Sequence, residues 1–389
     1  MLRTYSGFFE GLKKQIIVIK VGTSSLLNAD QGTLRLSVMA KICEIVRSLH
    51  DEGHQVVIVT SGGVGVGCHL MGLKNRPEGI SDKQAMAAVG QVHLMRYYEE
   101  LFGAVGMKCA QVLVDNDVFA HRHQYLNTRN TFRALFNYGV VPVANENDTV
   151  AIEELRIGDN DTLSAKIAVM CEADWLFLLT DVSCLYSENP RDNPNAQPIH
   201  IVEDVHRLCV DTSTAGTQWG SGGMHTKLTA ARLATPAGAQ VAICSSKDPE
   251  NVLRILSGER VGTVFQTTGR VMGRKRWILS VPVRGTIWMD DGAVDAVCKH
   301  SSLFAAGIVK TTGDFSEMDC VSLCDKDGNE FAQALTNYSR DAMESVIGKS
   351  SDVFDEELAG YSADEMVFRS NICLMDGNAG SDDASQASD

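Results

Sequence analysis

No stretch of the 389-residue chain approaches the ~20 consecutive apolar residues that a membrane helix needs; runs such as "IIVIKV" and "WLFLL" are strand-sized. The start, "MLRTYSGFFEGLKKQ", has no signal-peptide apolar core, and Glu10 argues against a transit peptide, so a cytoplasmic protein is expected. The eleven cysteines form no CxxC pair and no metal-ligand spacing, the pattern of buried free thiols in a reducing compartment. No metal ligands are assigned, and the isolated pair His121 and His123 is read as structural. A basic segment is also missing. Of the net charge of −14, residues 351–389 carry −9, residues 271–350 carry −2 and residues 1–270 carry −3. That distribution argues against nucleic acid as a partner and puts the acidity in the tail.

What is present is a soluble globular composition, 44% hydrophobic and 22% charged, with a length that suits two domains. Strand-like and helix-like stretches alternate through the first two-thirds. "IIVIKV" is followed by Leu34, Val38, Ile42, Ile45 and Leu49 at helical spacing, with Gly53 placed to stop that helix. "VVIVT" follows, and Ser81 with Gln84 reads as a capping box for a helix towards Phe102. "QVLV", "VVPVAN", "WLFLL" and "QVAICS" supply further strands, with helices near 125–138, 162–171 and from about His225. This rhythm predicts an α/β fold, a mostly parallel sheet sandwiched by helices, with chemistry in the loops after the strands. After Arg270 the rhythm breaks: "GRKRW" reads as a linker, "WILSVPVRGTIWMD" and later stretches as short strands, and "DKDGNE" as a hairpin turn. The expected division is 1–268 for the first domain, 269–276 for the linker, 277–370 for a small β-rich second domain, and 371–389 for an acidic disordered tail.

Three loops after strands are rich in glycine or hydroxyl residues: "KVGTSSLL", "TSGGVGVG" and "GSGGMHTK". None is a P-loop, because Lys227 follows Thr226 where the pattern needs glycine. The dinucleotide pattern fails at Gly63 and Gly65, whose third glycine place is Cys68, so a nicotinamide-dependent dehydrogenase is disfavoured. The kinase glycine loop starting at Gly220 fails at His225. Two places still suit an anion, Gly222 and Gly223 ahead of Lys227 and the strand end at Lys20 and Gly22, since a glycine turn before a helix offers free backbone N–H groups and the positive dipole end. Lys20 is conspicuous because it sits inside an apolar strand, at the end where ligands bind. In "RIGDNDTLSA" three polar residues, Asp159, Asn160 and Asp161, precede a helix that needs one cap.

"VIKVGTSSLL", "VIVTSGGVGVG", "QYLNTRNT", "VANENDTV", "GDNDTLSA", "LLTDVSCLY" and "SGGMHTK" occur in this order. Together they resemble the glutamate 5-kinases of the amino-acid kinase superfamily, over roughly residues 16–265. The second domain is similar to the PUA domain appended to many of them. The resemblance implies ATP with Mg2+ and L-glutamate as reactants, and γ-glutamyl phosphate as product, at the start of proline biosynthesis. It implies Lys20 and Lys227 flanking the transferred phosphoryl group, with Asp161 holding both ammonium groups. It also implies Ser61, Gly62, Gly63, Asn145, Asp148 and Asn160 on the substrate side. Lys20, Gly22, Thr180, Asp181, Ser221, Gly222, Gly223, Met224, His225, Thr226 and Lys227 would form the ATP side. Cys184 and His225 depart from the pattern, standing where a glycine and a small hydroxyl residue are usual. Proline as feedback inhibitor, a homo-dimer or homo-tetramer, and a downstream glutamyl-phosphate reductase are further implied partners. The rival readings are another kinase of the superfamily, acting on acetylglutamate, aspartate, carbamate or uridylate, and an RNA-binding PUA protein.

Overall fold

The computed structural model describes residues 14–28, 33–150, 159–188, 193, 195–208, 223–347 and 364–375. These fall into two compact units, Met1–Thr235 with Ala239–Thr267, and Pro236–Gly238 with Thr268–Asp389.

The first unit opens with β1 (Ile16–Val21), α1 (Thr23–Leu26), α2 (Leu36–Asp51) and β2 (Gln55–Thr60). It continues with α3 (Gly63–Leu70), α4 (Ile80–Ala104), β3 (Lys108–Val114), α5 (Asn116–Ala120), α6 (Arg122–Asn137) and β4 (Val140–Glu146). Then come α7 (Asn160–Cys171), β5 (Trp175–Thr180), β6 (Leu185–Tyr186), β7 (Pro198–Ile199) and β8 (Ile201–Val202). It closes with α8 (Met224–Ala234), β9 (Gln240–Ser245), α9 (Asn251–Leu256) and β10 (Thr263–Phe265). The main sheet runs β3-β4-β2-β1-β5-β9-β10-β8, parallel from β3 through β9. Only the β9–β10 pairing is antiparallel. The central strands are buried on both faces, which is why they read as continuous apolar runs rather than alternating ones. Ile17, Ile19, Val21, Ile42, Val46, Leu94, Tyr98, Phe102 and Phe177 share one core cluster.

Helix starts and stops follow local chemistry. Gly53 takes φ 88° just after α2, the left-handed position that stops a helix, as its place in the sequence predicted. The capping box at Ser81 is not formed. α4 begins at Ile80 with Gly79 as N-cap, so Ser81 already lies in the first turn, where it cannot cap. The helices expected near 125–138, 162–171 and 225 each start slightly earlier, at Arg122, Asn160 and Met224.

The second unit contains α10 (Gly273–Ser280), β11 (Val283–Met289), α11 (Asp291–Cys298), β12 (Leu303–Phe304), β13 (Ile308–Gly313) and β14 (Cys320–Cys324). β15 (Glu330–Leu335), α12 (Arg340–Val346), β16 (Glu365–Val367) and β17 (Ile372–Leu374) complete it. Five strands pair in the order β13-β11-β14-β15-β17, and β12 pairs with β16. The "DKDGNE" turn joins β14 to β15 as expected: Gly328 has φ 89°, and Asp325 accepts from the backbone of Asp327 at 2.9 Å and of Asn329 at 2.8 Å. Two stretches differ from the sequence expectation. The expected linker includes the start of α10, because Trp277, Ile278 and Leu279 gain burial by coiling with it. Ile372–Leu374, placed in the expected tail, is a buried strand on β15. Residues 376–389 lie outside the described residues.

Candidate active site

The carboxyl ends of β1, β2, β4 and β5 and the N-termini of α3, α7 and α8 carry the polar residues singled out from the sequence. Lys20 is the fifth residue of β1 and only 6% exposed. Its Nζ lies 2.6 Å from Oδ1 of Asp161, which is fully buried in the first turn of α7. The other oxygen, Oδ2, accepts from Lys227 Nζ at 3.2 Å, and Lys227 is the fourth residue of α8. One carboxylate thus holds two ammonium groups, from β1 and α8, that lie far apart in the sequence. Gly22 follows the strand closely: a Cβ there would sit 3.3 Å from Lys20 Nζ, so the glycine leaves the ammonium its space.

The electrostatics follow from that geometry. Burial pushes the Asp161 carboxyl up, but Lys20 and Lys227 beside it overcome this and hold it well below the usual carboxylate range. Burial pulls Lys227 below an ordinary lysine; Asp161 opposes the shift and the charge of Lys20 adds to it. Within the triad two cations meet one anion, a local excess of positive charge that favours an anionic ligand, and Asp159 and Asp181 lie close enough to Lys20 and Lys227 to reduce it.

Thr226 is part of this cluster. Its hydroxyl lies 2.7 Å from Asp161 Oδ2 and 2.9 Å from the Gly223 carbonyl, and accepts from the Gly223 N–H at 3.1 Å. A hydroxyl has one proton, so it donates to one of the two acceptors at a time. Met224 opens α8, and His225 is exposed in its first turn. Ser221 and Gly222 lie outside the described residues. Thr180 ends β5, donates to Asp181 Oδ1 at 3.1 Å, and so places Asp181 near enough to Lys227 to affect its charge. Cys184 is buried and has no left-handed backbone, so its position has no conformational need for glycine.

A second cluster consists of amides. Asn160 Nδ2 reaches the Thr60 carbonyl at 2.8 Å, Ser61 Oγ at 2.7 Å and Asn145 Oδ1 at 3.0 Å. Gly62 has φ 105°, a conformation open to glycine, and with it α3 starts at Gly63 directly beyond Ser61. Asp148 lies half-buried in the turn after β4. Asp159 proves to be the cap of α7: its carboxylate accepts from Thr162 N at 2.7 Å and Thr162 Oγ1 at 2.9 Å. The three polar residues therefore divide the work, 159 capping, 160 joining the amides and 161 pairing the lysines. Sequence reasoning missed the Thr226–Asp161 bond and Gln91, whose Oε1 accepts from Asn145 Nδ2 at 2.9 Å. Gln91 sits mid-helix in "AVGQV", and nothing in that pattern marks it.

The Amino acid kinase family matches residues 15–245, and the PUA domain matches residues 285–358. The chain belongs to the amino acid kinase family, with a C-terminal PUA domain. Its relatives include a glutamate 5-kinase of Microcystis aeruginosa, 46% identical over 93% of this chain and 97% of that one. Another is a glutamate 5-kinase of Synechococcus elongatus, 47% identical over 92% of this chain and 99% of that one. A solved isopentenyl phosphate kinase substrate complex aligns at 19% identity, with a TM-score of 0.47, over 65% of this chain and 100% of that chain.

Proposed function

We propose that this chain transfers the γ-phosphoryl group of ATP to the side-chain carboxylate of L-glutamate, giving ADP and γ-glutamyl phosphate, the first step towards proline. The observation that carries this reading is the buried Lys20–Asp161–Lys227 cluster beside the hydrogen-bonded amides of Asn160 and Asn145. Near-full-length similarity to glutamate 5-kinases supports the choice of acceptor.

The chemistry needs no general base. A glutamate carboxylate, with a pKa of about 4.3, is already ionised at neutral pH. Its oxygen attacks the γ-phosphorus, the bond to the bridging oxygen of the β-phosphate breaks, and that oxygen leaves with ADP. The obstacle is repulsion between an anionic nucleophile and an anionic phosphoryl group, so catalysis consists of positioning and charge stabilisation. Lys20 and Lys227 supply the positive charge from either side of the transferred group. Asp161 keeps both ammonium groups in place and stays ionised as it does so. On the acceptor side, Asn160, Ser61, the Gly62–Gly63 turn, Asn145 and Asp148 bind glutamate, Asp148 pairing with its α-ammonium. Gly22, Thr180, Asp181 and the 221–226 segment hold the nucleotide.

Among the described residues no three His, Cys, Asp or Glu side chains form a metal-holding group. Mg2+ carried in on the phosphates would keep much of its own water and need few protein ligands. Asp181, exposed near Lys227, is the carboxylate of this set open to such an ion. When bound, the ion neutralises phosphate charge.

Among the described residues no helix is long and apolar enough to cross a membrane, and the proposed setting is the cytoplasm. The proposed assembly is a homo-dimer or homo-tetramer, with proline as feedback inhibitor and glutamyl-phosphate reductase consuming the labile product. Hydroxylamine trapping tests the reaction: glutamate and ATP should yield the hydroxamate, and added proline should suppress it. Phosphorylation of acetylglutamate, aspartate, carbamate or UMP in place of glutamate would overturn the assignment.

A further inference from the structure

We propose that Gln91, on α4, is a positioning residue for the acceptor substrate, holding Asn145 and through it the orientation of Asn160. This rests on the reading of the site as a glutamate kinase. The direction of the amide chain follows from two groups that cannot change roles. The backbone N–H of Glu146 can only donate, and it donates to Asn145 Oδ1 at 3.0 Å. That atom is therefore oxygen, and the other end of the amide, Nδ2, must find an acceptor. Gln91 Oε1 supplies it at 2.9 Å. The Thr60 carbonyl can only accept, so the Asn160 atom 2.8 Å from it is nitrogen. The same nitrogen meets Asn145 Oδ1. Asn160 makes these bonds through its nitrogen, so Oδ1 is the half of the amide left to meet a ligand. An acceptor oxygen there suits the α-ammonium of an amino acid.

Gln91 is built to do this with one end only. Its Nε2 is buried and has no hydrogen-bond partner among the described residues, a cost that an apolar side chain would not carry. Its position is set by backbone contact between helices. A Cβ on Gly90 would run into the Gly63 carbonyl and lie 2.5 Å from Gly67 N. One on Gly67 would meet the Met86 carbonyl. α3 and α4 therefore touch along glycines, and a Cβ on Gly63 would come within 3.3 Å of Gln91 Oε1. The acceptor reaches Asn145 from a neighbouring helix.

The test uses the full chain carrying Gln91→Met, which keeps the length and removes the acceptor, with Gln91→Ala serving if the methionine variant fails to fold. Initial rates are measured against glutamate and ATP separately, alone and in an Asn145→Ala background. The glutamate KM is expected to rise roughly ten-fold, the effect of losing one buried hydrogen bond. kcat and the ATP KM should stay within about two-fold, and the substitution should add nothing once Asn145 is alanine. An unchanged glutamate KM, an equal rise in the ATP KM, or the full factor persisting in the Asn145→Ala background overturns the proposal. A wild-type chain that turns over ATP but never glutamate fails the kinase reading itself, which separates the two.

Discussion

Asn160 and Asp161 are adjacent in the chain, yet they serve two halves of the site held by different forces. Asp161 works through charge: its two oxygens meet Lys20 and Lys227, and the Coulomb attraction is strong because all three are buried. Asn160 works through direction: its amide nitrogen faces three neutral oxygens, and the gain depends on which end points where. The first half should tolerate small displacements but no change of charge. The second should tolerate no loss of donor–acceptor order and should affect recognition more than the chemical step.

Four substitutions or conditions would break or sharpen that contrast. Asp161→Ala should have the largest effect, since it leaves two like charges buried without their anion. Breaking such a pair costs about 3–5 kcal/mol, or roughly 10²–10⁴ in turnover if the loss falls on the transition state. Steady-state kcat on a folded variant, with folding checked by circular dichroism, measures it, and wild-type turnover would remove Asp161 from the mechanism. Lys20→Arg should come next, with kcat down roughly a hundred-fold while charge is conserved. The planar guanidinium cannot take the place of a compact ammonium in the space that Gly22 leaves. Normal rates in that variant would mean that charge alone suffices at this position.

Smaller and graded is the response to pH. In the proposed mechanism Lys227 acts as an ammonium, and burial lowers its pKa from the ordinary lysine value of 10.5. Activity should therefore be present at neutral pH and decline as pH rises through that lowered value, before an exposed lysine would titrate. On the acid side Asp161 is depressed, so its stabilising contribution holds above the unfolded carboxylate pKa and is lost only as pH falls through the lower folded value. A rate profile flat beyond pH 10.5 would place the ammonium charge elsewhere. The smallest effect on chemistry belongs to Gly90→Ala. Its methyl group would press on the backbone of Gly63 and Gly67, at an overpacking cost of about 1–3 kcal/mol. A lowered melting temperature with a raised glutamate KM and near-normal kcat is expected. A fall in kcat with unchanged KM would show the two halves to be coupled.

Legibility in the sequence tracks the same division. Lys20 could be picked out because a lysine inside "IIVIKV" breaks an apolar strand at its ligand-binding end. The α/β alternation was readable for a similar reason, since buried parallel strands leave continuous apolar runs. The cap of α7 was not readable: Asp159, Asn160 and Asp161 can each cap, and only the fold shows Thr162 bonded to the first. The helix over Gly273–Ser280 was missed because "GRKRW" is locally polar and becomes helical with the buried residues that follow it.

By itself, then, the order of residues determined the sheet-and-helix alternation, the glycine-bearing loops and the family, because these depend on local periodicity and on motifs that lie contiguously along the chain. The tertiary structure gave geometry to what the family resemblance implied, that residues 20 and 227 share the buried carboxylate of residue 161. It alone decided that a glutamine mid-helix ends a chain of amides rooted at residue 146. Both arrangements join groups tens of positions apart in the chain, and hydrogen bonds and ion pairs act only over a few ångströms of space, a proximity that no local pattern encodes.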